Sequence, residues 1–143
     1  MYLACAAAIF LVAGCVLYSG RAAQDIATTF RIFTLRLREG NVDAAYGLMS
    51  NQYKRSHTIA DFGRTPWCDP SNLVHATAIQ NREMHKTQVR GVNPITGRAR
   101  IITSTADIKG PLFLEDGLIA VTVTAVRERD GWRIASDVNT VMR

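Results

Sequence analysis

Cysteine is scarce in this 143-residue chain, and its placement excludes a cross-linked fold. Cys5 and Cys15 lie in an uncharged segment, where they behave as small hydrophobes. Cys68 is then alone in the polar part, so no internal disulfide can form there, and no Cys-x-x-Cys occurs. Blocks of like charge are also missing. The 17 Lys and Arg outnumber the 12 Asp and Glu to give a net charge of +5, but the basic residues are interspersed. Arg31, Arg36 and Arg38 alternate with apolar residues, and Arg127, Arg129 and Arg133 stand beside Glu128 and Asp130. That mixture reads as a solvated surface, and the lack of a basic stripe interleaved with aromatics argues against nucleic acid as a partner. There is no repeat and no low-complexity stretch. The length suits one domain with room for a core.

Charge is absent altogether from residues 2–18, and every Lys, Arg, Asp and Glu comes later. As a helix this run would measure roughly 26 Å at about 1.5 Å per residue, the short end of a bilayer span. Three readings compete. The preferred one is a retained transmembrane anchor over residues 1–20, followed by a short polar linker at 21–24. A cleaved secretory signal is weakened because no Lys or Arg precedes the apolar run. A lipoprotein signal is the third: Leu11-Val12-Ala13-Gly14-Cys15 is similar to a bacterial lipobox, with Cys15 as the acylated residue, although the apolar run continues through Val16, Leu17 and Tyr18. In a spanning helix the same five residues are simply small and apolar. Arg21 on the far side hints, by charge bias alone, at a cytoplasmic domain.

Residues 25–143 divide into helices followed by strands. Ile26, Phe30, Phe33 and Leu37 recur at spacings of four, three and four, which is one helical face, and Gly40 ends that helix. Asn41 can cap a second helix burying Val42, Ala45, Leu48 and Met49. Thr58 and Asp61 approximate a capping box for a third short one. Pro66, Asp69, Pro70, Ser71 and Asn72 mark a loop. Strand signals follow at residues 73–80, 84–92, 98–106 and 118–127, with a hairpin turn at Asp130-Gly131 before Trp132, Ile134 and Val138. Successive strands with short turns predict an antiparallel sheet with one face against the helices. The fold class is therefore α+β.

The helical block LRLREGNVDAAYGLMS, then QYKR, then residues 58–62, resembles the start of a nuclear transport factor 2-like (cystatin-like) domain, and Asp130-Gly131-Trp132-Arg133-Ile134 is similar to its closing strand. The likeness spans about residues 24–142. It implies a cone: helices packed on a curved antiparallel sheet. Small bacterial members of that superfamily commonly follow a lipoprotein signal or a single span, which implies a cell-membrane location with the domain outside the cytoplasm. The superfamily holds ketosteroid isomerases and polyketide cyclases, and also transport factors and membrane-anchored subunits of type IV secretion machines, so the fold does not choose a function.

The enzymes of that group need a base and an oxyanion partner inside the cone. The inward faces here are mostly apolar: Ile101, Val121, Val123 and Trp132 would line the cone, with Tyr46 the best oxyanion-type candidate, more simply read as a half-buried helix tyrosine. Asp107 and Asp137 are acids near strand ends, solvated by default. His75 and His85, with Cys68 or Asp69, have no spacing that enforces a metal site. The loop at 110–117 offers Leu112, Phe113 and Leu114 as an apolar tip: a lip over the cone's mouth, a partner contact, a membrane-touching element, or a hairpin whose Phe113 folds back onto the core. The expectation is a membrane-anchored, non-catalytic binding or assembly module with neither cofactor nor metal. Its partners would be the membrane, other subunits or a second copy, or a small apolar ligand. The rivals are an isomerase, cyclase or dehydratase using the cone, and an assembly subunit of a secretion or organelle complex.

Overall fold

The computed structural model describes residues 2–76, 79, 86–104, 119–135 and 139–142, with the backbone alone at 2–16, 73, 86, 104, 119, 120 and 139–142. Helix α1 runs unbroken from Tyr2–Arg38. Its second half buries Ala22, Ile26, Phe30, Phe33 and Leu37. The linker expected at 21–24 is therefore helical. Arg, Ala and Gln are strong helix formers, and Ala22 sits four residues before Ile26 on the buried stripe, so the polar residues there mark the solvent side of one helix. Gly40 at φ 72° ends α1, with the amide of Asn41 donating back to the Arg36 carbonyl at 2.8 Å. Among the described residues no helix is long and apolar enough to cross a membrane.

Three short helices follow: α2 (Val42–Gly47), α3 (Asn51–Ser56) and α4 (Ile59–Phe62). Each is capped by its own side chain, Asn41, Ser50 and Thr58 in turn. The Thr58–Asp61 capping box is complete, and those bonds to Thr58 hold the exposed Asp61 carboxyl below its ordinary 3.8. A carboxyl lowered in the fold adds stability above its unfolded pKa, and that stability is lost as pH falls through the folded value. Asp61→Asn should thus be less stable than the parent at pH 7, with a flatter loss below about pH 4, as read from urea midpoints at several pH values.

The segment expected to be a strand at 73–80 instead begins with α5 (Leu73–His75). Asn72 explains this. Its side chain accepts from the Val74 amide at 3.0 Å and its carbonyl from the Ala76 amide at 3.0 Å, which starts a helical turn. Strands β1 (Lys86–Asn93), β2 (Arg98–Ser104), β3 (Ile119–Glu128) and β4 (Gly131–Ile134) form an antiparallel sheet in that order. The last strand, β5 (Asn139–Met142), pairs with the first half of β3 along the same edge that β4 occupies further on. Helix α1 packs on one sheet face with α2 against it, while α3 sits at the β3–β4 edge. In the core Phe33 meets Trp67 edge-on at 5.2 Å and lies 6.3 Å from both Phe30 and Phe62.

A clamp joins the short helices to the sheet edge. Ile134 donates to the Leu48 carbonyl at 3.0 Å, and the Ser50 amide donates to Ile134 at 2.7 Å. Beside it Glu128 accepts from both the amide and the side chain of Asn51 at 2.7 Å, which seats a carboxylate at the start of α3. Glu128→Ala should cost about 1–2 kcal/mol, with Glu128→Gln retaining part of it, as measured by urea unfolding.

Candidate anion-binding face of the sheet

Alternation sorts the strand residues onto two faces. Ala99, Ile101, Thr103, Val121, Val123, Ala125, Trp132 and Ile134 are buried against the helices. Arg98, Arg100, Thr122, Thr124, Val126 and Arg133 take the opposite face. The hairpin register then sets Arg90 of β1 directly opposite Arg100 of β2, and Arg100 opposite Thr124 of β3. Like charges directly opposed across strands disfavour the sheet by a few tenths to about 1 kcal/mol. Arg90 is steadied by Gln88, whose side-chain oxygen accepts from its Nε at 3.0 Å and its Nη2 at 2.7 Å. Arg133 pairs with Asp130. The side chains of Arg98 and Arg100 are exposed and make no hydrogen bond or ion pair among the described residues.

Two adjoining grooves meet at these arginines. One, of about 390 Å³, lies between α3 and the sheet and is lined by Gln52, Tyr53, Ser56, His57, Arg98, Thr124, Val126 and Ala135. The other, of about 310 Å³, runs along the β1–β2 hairpin and takes in Asn93, Thr96 and Arg100. Arg98 and Thr124 border both. In the first groove the His57 ring stacks on Tyr53 at 4.2 Å, and its Nδ1 lies 2.9 Å from Ser56 Oγ. His57 is therefore half-buried and held in place. Planar guanidinium forks beside hydroxyl and amide groups suit carboxylate or phosphate oxygens.

The residues expected to line a cone are held within the fold. Tyr46 donates its hydroxyl to the His57 carbonyl at 2.6 Å and packs its ring against Phe62, so it is occupied as a structural bond between α2 and α3. Ile101, Val121, Val123 and Trp132 do gather on one face, with Ile101 and Val123 register partners, but they sit in the filled core and border neither groove. Phe33, Phe62 and Trp67 belong to the same buried cluster as these four residues. Leu112, Phe113 and Leu114, together with His85, Asp107 and Asp137, lie outside the described residues, and Cys15 is described by its backbone alone. His75 is buried with Nδ1 2.5 Å from the Trp67 carbonyl. Burial raises the Cys68 thiol above its ordinary value, the reverse of what a reactive cysteine needs. Among the described residues no three His, Cys, Asp or Glu side chains are grouped to hold a metal.

Alternation along residues 98–106 is enough to put Arg98 and Arg100 on the outer side. It does not give the hairpin register, which sets Arg100 against Arg90 and Arg98 against Asn93. Ser56, Gln52 and Thr124 carry no motif, and only the packing of α3 on the sheet brings them to the same groove. Comparison with known protein families, with curated proteins and with solved structures found no match.

Proposed function

We propose that this chain is a membrane-anchored, non-catalytic binding module that presents the arginine-lined outer face of its sheet to an acidic segment of a partner protein. The carrying observation is the exposed Arg98 and Arg100 pair, two residues apart on one face, whose side chains have no partner among the described residues. Two guanidinium groups on one exposed face suit the carboxylates of an anionic partner. The uncharged run at 2–18 continues into α1 without a break, which supports an anchor fixed rigidly to the domain. The domain's place outside the cytoplasm of a bacterial cell belongs to the same proposal.

The order of helices and strands supports a cone of the nuclear transport factor 2-like kind. So does the register shift in β1 between Arg90 and Asn93, where Gly91 adopts φ 61°, since such irregularities bend a strand. The filled inner face and the engaged Tyr46 hydroxyl weigh against a catalytic cone. Titration of the full chain in detergent with a labelled oligoglutamate peptide tests the reading. Binding should weaken at least about tenfold between roughly 50 and 300 mM salt, as screening of a charged contact requires. Equal binding of oligolysine, or none of either peptide, would overturn it.

A further inference from the structure

Three separate elements bring apolar tips and arginines to one end of the domain. The first is α1, where Leu17 is 72% exposed and Tyr18 37% exposed, immediately after the uncharged run. The second is the β1–β2 turn. Ile95 at its tip is 93% exposed, more than any other large apolar residue described. That tip is held firmly: the amides of Ile95 and Thr96 both donate to the Asn93 side chain, at 2.9 and 3.0 Å, and Gly97 donates to the Asn93 carbonyl at 3.0 Å. The third is the end of β3, which joins the other two. Arg127 donates its amide to the Gly97 carbonyl at 2.7 Å, and its side chain borders a groove of about 600 Å³ with Leu17, Tyr18, Arg21 and Asp25.

A fully exposed isoleucine on a braced turn has no role in the core. Exposed apolar and aromatic tips ringed by arginine have the composition of a surface at the acyl-headgroup boundary, where Tyr sits at headgroup depth and arginines reach lipid phosphates. Asp25 lies about 10 Å further along α1 than Tyr18, away from the uncharged run, at about 1.5 Å per residue.

We infer that this end of the domain seats on the lipid headgroup layer around α1, with Ile95, Leu17 and Tyr18 entering the interface and Arg21 and Arg127 facing anionic phosphates. The inference rests on the anchoring part of the proposed function and is independent of the outer sheet face. Seating would fix the domain's tilt and so the direction in which Arg98 and Arg100 are displayed.

The test uses the full chain with Cys5, Cys15 and Cys68 replaced by alanine. An environment-sensitive fluorophore is attached at Ile95→Cys, or at Ala60→Cys on exposed α4 as the control. The chain is reconstituted into phosphatidylcholine vesicles with and without phosphatidylglycerol, and flotation is measured alongside. Seating predicts a blue-shifted emission at position 95 that a spin-labelled lipid quenches, with neither effect at position 60. Arg21→Gln should reduce the quenching in the anionic vesicles. A chain that floats with the vesicles while its label at 95 stays in water, as at 60, overturns seating and leaves the anchor standing. A chain that fails to float overturns both.

Discussion

Charge reversal in Arg98→Glu/Arg100→Glu is expected to abolish oligoglutamate binding and to leave the domain at least as stable as before. Both side chains are exposed, and neither has a partner among the described residues, so nothing that holds the fold is removed. The change also replaces the opposition of Arg90 and Arg100 with an Arg–Glu pair. Cross-strand pairs of opposite charge contribute about 0.2–1 kcal/mol, so the thermal midpoint should hold or rise by about 1–3 °C. Binding measured by anisotropy and melting measured on the same samples separate the two effects. Loss of binding with an intact fold supports the outer face as the working surface. Unchanged binding would place the acidic peptide elsewhere.

Phe33→Ala should cost about 3–5 kcal/mol, a large part of the 5–15 kcal/mol that holds an ordinary domain together. Phe33 is fully buried and touches three other aromatic rings, including Trp67 from the loop that follows α4. Its neighbour Ile32 is 38% exposed on the other side of α1, and Ile32→Ala should cost no more than about 1 kcal/mol. Urea midpoints of the two variants in the same detergent give the comparison. A tolerated Phe33→Ala would mean that the space between helices and sheet is slack enough to be a cavity, and would favour a ligand site or catalytic use of the inner face.

The helical faces were legible because burial repeats with the helix period: Ile26, Phe30, Phe33 and Leu37 all point into the core. The same logic failed at 21–24, where three polar or small residues looked like a linker while Ala22 quietly continued the buried stripe. The stretch from 73 offered apolar alternation, which cannot outweigh a capping Asn72 without knowledge of what lies alongside. Inner and outer faces of β2 and β3 followed directly from alternation, with Ala99, Ile101 and Thr103 buried and Arg98 and Arg100 exposed. Alternation says which side a residue takes, not what fills the space beyond. Phe62 and Trp67 join the same buried cluster, and their positions depend on tertiary packing of short capped helices and a loop. The opposition of Arg90 to Arg100 likewise depends on hairpin register, and the bulge at Gly91 shifts that register within one strand.

The account's central claim is that the working surface is the outer face of the sheet and that the inner face is closed core. Nuclear magnetic resonance of the full chain in micelles tests it most directly, following the arginine Nε–H and the isoleucine and valine methyl signals as oligoglutamate is added. The account predicts shifts at Arg98 and Arg100, with the methyls of Ile101, Val121 and Val123 left in place. Shifts concentrated at those buried methyls, with Arg98 and Arg100 unmoved, would contradict it.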